Sequence, residues 1–100
     1  MTISKKIYID KSVSNHRFIL RKLKKGKKVN NIYCIIYTED MFLEIINSNK
    51  INEKYDKAVL IGIADSRRKA MELLVNIFDD VYVPNPNIDY MKRYFTTNKS

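Results

Sequence analysis

Two apolar runs rich in β-branched residues set the strongest limit on how this chain folds. NIYCIIY occupies residues 31–37 and KAVLIGIA occupies residues 57–64. The first run is continuous enough to predict a central strand. Gly62 lies inside the second, where it indicates either a bulge or a close backbone approach. KKIYI at residues 5–9 alternates weakly and predicts a further short strand.

Two helices are predicted after the second run. SRRKAMELLVNIF begins at Asp65 or Ser66, either of which suits an N-cap, and is followed by Asp79 and Asp80 as terminating residues. Its apolar face is predicted to contain Ala70, Met71, Leu74, Ile77 and Phe78. The final helix has Asn85 as its predicted cap and Pro86 in its first position. Its predicted apolar side chains are Ile88, Met91 and Phe95.

Two segments allow both strand and helix. Phe18 and Leu20 in HRFILRKL alternate with basic residues as in a strand, whereas Ile19, Leu20 and Leu23 form a short helical stripe with Ser14 as cap. In residues 39–47, Phe42, Ile45 and Ile46 keep helical spacing after a Thr-Glu-Asp start, which favours a short helix. NSNKINEKYD at residues 47–56 reads as a polar loop.

One hundred residues with 45% apolar content predict a single globular domain, residues 1–100. The order of elements predicts an α+β fold in which a small antiparallel sheet, a β-meander with a basic hairpin, packs against two C-terminal helices.

The positive charge is concentrated at the start of the chain. Residues 1–28 contain ten Lys and Arg against Asp10 alone, a net charge of +9, while the whole chain carries +8. Residues 29–100 therefore carry −1. This asymmetry indicates a polyanionic partner or an anionic surface, although surface charge that serves solubility alone is the alternative.

The densest part of this charge is ILRKLKKGKKVNNIY, residues 19–33, with six Lys or Arg within eight positions. If the stretch is a hairpin, Gly26 takes φ > 0 at the turn and the lysines project from a narrow tip. If it is a helix, the helix ends at Gly26 and the lysines stabilise its C-terminus, which is a purely structural account. The nucleic-acid-binding residues predicted from this region are Arg17, Arg21, Lys22, Lys24, Lys25, Lys27, Lys28, Asn30 and Asn31.

Arg67 and Arg68 complete the predicted site. They lie at the start of a helix, where cations oppose the helix dipole, so either they have an anionic partner or they pair locally. Beside free N–H groups they would suit phosphate oxygens. The local alternative pairs Arg68 with Glu72 or Arg67 with Asp65.

Catalytic and metal-binding chemistry is not predicted. One histidine, His16, and one cysteine, Cys34, give neither a nucleophile–base pair nor metal-ligand spacing, and no Gly-rich phosphate loop is present. We therefore expect no enzyme activity, cofactor or metal. The seven tyrosines fit packing better than base stacking. The apolar runs are too short for a membrane span or a signal peptide, and the lone cysteine predicts a cytoplasmic protein.

The segment from residue 57 to residue 95, with its strand, the turn ADSRR, an amphipathic helix, V-x-V-P and a capped helix, resembles a family of short uncharacterised clostridial proteins. That resemblance implies a β-meander ahead of two helices and favours a strand for residues 16–24. In size, charge and basic hairpin the chain is also similar to accessory DNA-binding proteins of clostridial conjugative plasmids.

These observations predict a small DNA-binding accessory or regulatory protein of a mobile element, homodimeric, that contacts double-stranded DNA through the Lys-rich hairpin. RNA is a further possible ligand. The alternative is a protein-interaction module of phage or mobile-element origin that modulates a host complex. The apolar residues near the C-terminus (Tyr90, Met91, Tyr94 and Phe95) are the predicted dimer surface.

Overall fold

The computed structural model describes residues 1–97 as one four-stranded sheet with helices on both faces. In chain order the elements are β1 (Thr2–Ile9), α1 (His16–Lys24), β2 (Tyr33–Tyr37), β3 (Leu43–Asn47), β4 (Val59–Ala64), α2 (Arg67–Ile77) and α3 (Ile88–Thr96). Short 3₁₀ turns at Ser48–Lys50 and Glu53–Tyr55 connect β3 to β4, and a π-helical turn, Phe78–Tyr82, continues α2. The α+β prediction is confirmed.

The sheet is mixed rather than antiparallel. Its strand order is β1-β4-β2-β3, with β1 parallel to β4 and β2 antiparallel to both of its neighbours. The predicted β-meander is therefore wrong, because β4 pairs with β2 and not with β3, which precedes it in the chain. β1 and β4 are parallel, and the long connection between them contains α1, β2 and β3. In a meander, by contrast, every pair of neighbouring strands is antiparallel.

Both faces of the central strands are buried, which explains their continuous apolar runs. On one face, Cys34, Ile36 and Leu60 pack with Ile19 and Leu23 of α1. On the opposite face, the core joins the other side chains of β2 and β4 to α2 and α3, with Ile35, Ile61, Leu73, Ile77, Met91 and Phe95 among its members. The molecule thus has three layers, with α1 separated from α2 and α3 by the sheet.

Gly62 combines both features expected of it. It pairs with Ile35 while Leu60 pairs with Ile36, so Ile61 is an extra residue and the strand has a bulge. A Cβ at Gly62 would lie 3.1 Å from Ile35 Cδ1 and 3.3 Å from Leu73 Cδ2, so glycine also allows α2 to approach the sheet closely.

The basic hairpin predicted for residues 16–31 is wrong, because residues 16–24 form helix α1. Ile19, Leu20 and Leu23 supply the helical stripe, and Ile19 and Leu23 are buried against the sheet. The residue at the N-cap position is Asn15 rather than Ser14, with a left-handed backbone (φ 55°) and no side-chain capping bond. Burial of two aliphatic side chains thus decides between the two patterns.

The helix predicted over residues 39–47 is also wrong, because strand β3 occupies Leu43–Asn47. Met41 has a left-handed φ of 64°, and Thr38 accepts a hydrogen bond from the Phe42 N–H through its hydroxyl. This turn reverses the chain and pairs Ile45 with Ile35 of β2, leaving Phe42 71% exposed.

The ends of the C-terminal helices differ in detail from the prediction. Ser66 is the N-cap of α2 and accepts a bond from the Lys69 N–H at 3.2 Å, as expected. Asp79 and Asp80 do not end the helix, since the π-helical turn continues to Tyr82. The cap of α3 is Asn87, not Asn85, so Pro86 precedes the helix instead of opening it.

The packing faces of α2 and α3 also differ. The buried residues of α2 are Ala70, Leu73 and Ile77, whereas Met71 is 55% exposed. In α3, Met91 and Phe95 are buried as predicted, but Ile88 at its first position is 52% exposed. The predicted face of α2 is thus largely confirmed, since Leu74 and Phe78 pack against the same core as Ala70 and Ile77, and only Met71 is replaced there by Leu73.

Candidate nucleic-acid interface

Helix α1 presents cations on the side opposite its buried residues. Arg17, Arg21 and Lys24 are spaced at i, i+4 and i+7, so they project from one side of the helix, and all three are exposed. Ile19 and Leu23 hold the other side against the sheet. Because these two buried residues fix the orientation of α1 about its own axis, its charged side faces solvent.

A Schellman motif ends α1 at Gly26. The Gly26 N–H donates to the Leu23 carbonyl at 2.9 Å, and the Lys27 N–H donates to the Lys22 carbonyl at 2.9 Å. Gly26 has φ 74°, the left-handed conformation that this motif requires and that glycine adopts without strain. Arg21, Lys22 and Lys24 lie in the last turn, where the helix dipole favours cations. The prediction that a helix in this stretch would end at Gly26, with lysines near its C-terminus, is thus confirmed.

The loop after the helix is anchored on its apolar residues. The Val29 N–H donates to the hydroxyl of fully buried Ser48 at 2.8 Å, and Ile32 is buried in the core shared with α1. Lys27 and Lys28 precede this anchor and are exposed, and Asn30 and Asn31 follow it, also exposed. Asn31 has a left-handed φ of 61°, which turns the chain into β2.

We call the seven cations of this helix and loop the basic surface: Arg17, Arg21, Lys22, Lys24, Lys25, Lys27 and Lys28. Residues 16–31 contain no Asp or Glu. The ion pairs among residues 1–97 join Lys57 to Glu39, Arg68 to Glu72 and Lys69 to Asp65, and none of them involves residues 16–31. The charge of the basic surface is therefore not neutralised within the described part of the chain.

Phe18 is an exposed aromatic side chain within the basic surface that the strand interpretation did not select. It is 55% exposed, and Lys22 Nζ lies 5.3 Å from its ring centroid, which holds Lys22 partly against the helix. A hollow of about 380 Å³ at the start of α1 is lined by Asn15, His16, Arg17, Phe18 and Arg21. The helical spacing of Phe18 and Lys22, at i and i+4, would have identified this pair in the sequence.

Arg67 and Arg68 are not part of this surface. They open α2, which packs on the opposite face of the sheet from α1. Arg68 forms the local pair with Glu72 at 2.8 Å, and Asp65 pairs with Lys69 at 3.4 Å rather than with Arg67. Sequence reasoning therefore joined two groups of cations that the fold places in different layers.

Cys34 is buried in the core and most of the tyrosines pack against other aromatic residues, whereas His16 is exposed at the start of α1. Burial raises the pKa of the Cys34 thiol to about 12, which disfavours the thiolate that nucleophilic attack or metal binding requires. The tyrosines pack as expected: Tyr8 and Tyr37 contact Phe95, and Tyr82 contacts Phe78. Residues 1–97 contain no group of three or more His, Cys, Asp or Glu placed to hold a metal ion. In the same residues, none of the helices combines the length and apolar character that crossing a bilayer requires.

No family model matches the chain, and searches of curated proteins and of solved structures find no match.

Proposed function

We propose that this protein is a DNA-binding accessory or regulatory protein that contacts double-stranded DNA through its basic surface. The observation that supports this most directly is that residues 16–31, with seven cations and no anion, form no ion pair with any other residue in the range 1–97. Cations without acidic partners are available to phosphate oxygens, and the counterions released by phosphates drive such association. The similarity in size and charge to accessory proteins of conjugative plasmids favours a mobile element as the source. The buried, unpaired Cys34 favours the cytoplasm as the location.

The dimensions of α1 suit a groove of duplex DNA. An α-helix with its side chains is about 10–12 Å across, so the major groove of B-DNA, about 12 Å wide, admits one, and the nine residues of α1 extend for about 13.5 Å. Arg17 and Arg21 project from the exposed side, where a guanidinium can contact phosphates or the edge of a guanine. Lys27, Lys28, Asn30 and Asn31 extend the contact beyond the end of the helix. A binding rather than a catalytic role also agrees with the burial of Cys34.

Salt-dependent binding tests the proposal. If all seven cations contact phosphates, log affinity falls with log salt at a slope of about −6.3, which is a loss of roughly 6,000-fold between 50 and 200 mM salt. Fluorescence anisotropy with a labelled 30-base-pair duplex measures this slope, and a duplex RNA of the same sequence shows whether DNA is preferred. No binding to either duplex at 50 mM salt, by a folded protein, would contradict the proposal.

The alternative function, a protein-interaction module acting on a host complex, has its own supporting observation. Met71 and Val75 on the outer side of α2 are 55% and 58% exposed and line an almost wholly apolar hollow of about 520 Å³, with Arg67 and Arg68 among its other lining residues. A protein complex formed through such a surface would persist at 500 mM salt, at which binding to DNA phosphates is lost. Salt resistance therefore separates the two functions.

Homodimer formation remains part of the proposal, but not through the C-terminal surface predicted for it. Met91 and Phe95 are 1% and 0% exposed within the monomer, and Tyr94 packs edge-on against Phe95 at 4.9 Å between ring centroids. The Ser4 hydroxyl also donates to the Phe95 carbonyl at 2.9 Å, which ties α3 to β1. These side chains complete the monomer's own core, so a dimer has to use another surface.

A further inference from the structure

Strand β3 forms one edge of the sheet, and its hydrogen bonds define which groups face outward. The Thr38 N–H donates to the Phe42 carbonyl and the Ser48 N–H donates to the Ile32 carbonyl. The intervening register pairs Ile36 with Glu44, so alternate residues from Phe42 to Ser48 exchange backbone bonds with β2. The N–H and C=O groups of the other three residues, Leu43, Ile45 and Asn47, therefore point away from β2.

The outward groups of Leu43 and Ile45 have no hydrogen-bond partner among residues 1–97, whereas Asn47 is also the N-cap of the 3₁₀ turn Ser48–Lys50. A groove of about 400 Å³ follows the same edge, with Ile45 and Asn47 in its wall, Arg67 on the α2 side and Lys50 and Tyr55 on the other. A row of free N–H and C=O groups in a groove is the surface on which an additional strand pairs.

Charge at the two ends of β3 indicates what that additional strand is. Asp40 precedes the strand as an exposed anion next to Glu39, which already pairs with Lys57 at 3.4 Å, whereas Lys50 follows the strand and Arg67 lies beside its C-terminal end. Antiparallel pairing of β3 with a second β3 brings the acidic end of one copy to the basic end of the other, while parallel pairing places like charges together. The edge is thus electrostatically complementary to itself in one orientation.

We propose that the protein forms a two-fold symmetric homodimer in which β3 pairs antiparallel with β3 of a second copy. The outward groups set the register: Ile45 lies opposite its own counterpart, and Leu43 lies opposite the counterpart of Asn47. All three outward residues then exchange backbone hydrogen bonds, and the two sheets become one continuous eight-stranded sheet. This surface is separate from the C-terminal one excluded above.

In this dimer the two α2 helices also bury apolar surface against each other. The two-fold axis of an antiparallel strand pair is perpendicular to the sheet, so equivalent helices of the two copies lie on the same face. Arg67 contributes both to the β3 groove and to the hollow lined by Met71 and Val75, so these apolar side chains lie on the part of α2 nearest the shared edge. Packing of the two α2 helices covers side chains that the monomer leaves exposed.

The dimer also has a consequence that rests on the proposed DNA binding. Both copies of α1 lie on the face opposite α2, so the two basic surfaces face the same side of the continuous sheet. One DNA duplex can then contact both copies. The dimer itself does not depend on DNA and is tested without it.

Disulfide crosslinking tests the register. Residues in a hydrogen-bonded antiparallel pair have Cα atoms about 5.5 Å apart, within the range for a disulfide. Ile45→Cys is therefore expected to give a covalent dimer under mild oxidation, in 500 mM salt and without DNA. Leu43→Cys is the matched control, on the same edge and with its backbone also outward, but its counterpart lies about 14 Å away along the strand and cannot be bridged. The natural Cys34 is fully buried and does not interfere.

Sedimentation velocity of the unmodified protein at 10–100 µM accompanies the crosslinking and is expected to show a species of twice the 11.9 kDa chain mass. Circular dichroism shows whether each cysteine variant is folded. Strong crosslinking of Ile45→Cys with little crosslinking of Leu43→Cys supports the dimer. Equal crosslinking of the two, absence of crosslinking in a folded Ile45→Cys, or a monomer over the whole concentration range overturns it.

Discussion

Removing the cations on the exposed side of α1 should weaken DNA binding in a way that only a phosphate contact surface explains. The variant replaces four residues with alanine: Arg17, Arg21, Lys24 and Lys25. Alanine has the highest helix propensity, so helix α1 should still form, held by buried Ile19 and Leu23. Loss of Arg21 and Lys24 from the last turn and of Lys25 from the C-cap costs about 0.3 to 1 kcal/mol each at low salt through the helix dipole.

The expected change in salt dependence follows from the count of contacts. Each phosphate contact contributes about 0.9 to the slope of log affinity against log salt, so four lost contacts change the slope by about 3.6. A wild-type slope of about −6.3 becomes about −2.7. Between 50 and 200 mM salt the loss in affinity then falls from roughly 6,000-fold to roughly 40-fold.

The assay is a titration of labelled duplex DNA at four salt concentrations, read by fluorescence anisotropy. A matched control variant removes the same charge from exposed sites outside the basic surface: Lys5, Lys54, Lys57 and Arg93, each to alanine. Because both variants have the same net charge, a general effect of charge changes them equally. Urea denaturation verifies that both are folded.

The reasoning fails if the α1 variant is folded and keeps the wild-type slope, since the phosphate contacts then lie elsewhere. Equal slopes in the α1 and control variants, both flatter than the wild type, would also refute it. That result would mean that affinity follows net charge and that residues 16–31 form no defined contact surface.

Two further predictions concern stability, measured by urea denaturation. Gly62→Ala should destabilise the protein by about 1 to 3 kcal/mol through overpacking against Ile35. Ile35→Val removes the contacting Cδ1, so the double variant should lose less stability than the sum of the two single variants. Strict additivity would refute the close approach at Gly62. In the monomeric protein, Arg67→Glu should raise the free energy of unfolding by about 0.3 to 1 kcal/mol because an anion suits the start of α2. Arg68→Glu should be close to neutral, since the same gain is offset by loss of the ion pair with Glu72 and by the new repulsion. Equal stabilisation by both arginine substitutions would show that the ion pair has no effect in solution.

Helix α1 shows where reasoning from the sequence reached its limit. The residues from His16 to Lys24 satisfy a period of two and a period of 3.6 equally well, so periodicity did not separate strand from helix. The helix is selected by contact: Ile19 and Leu23 are the side chains that cover Cys34, Ile36 and Leu60 on that face of the sheet. The prediction that the helical alternative ends at Gly26 was confirmed, because a left-handed glycine is a local signal.

Strand β3 shows a related limit. Ile45 and Ile46 were assigned to a helix by their spacing, but the left-handed turn at Met41 returns the chain to β2, where those side chains pair with Ile35 and Cys34. Strand pairing is a long-range property that a short window of sequence does not contain. The open edge of β3, and the dimer proposed there, could not be inferred until the order of strands was known.

The sequence by itself determined the local features: two buried central strands, an amphipathic helix capped by Ser66, the end of a helix at Gly26 and a strongly basic first quarter. Each of these depends on residues near one another in the chain. Tertiary structure alone decided the parallel pairing of β1 with β4, the faces on which the helices lie, and the separation of Arg67 and Arg68 from the cations of α1. Those properties depend on which apolar surfaces cover one another across the sheet, and that is set by packing among residues far apart in the chain.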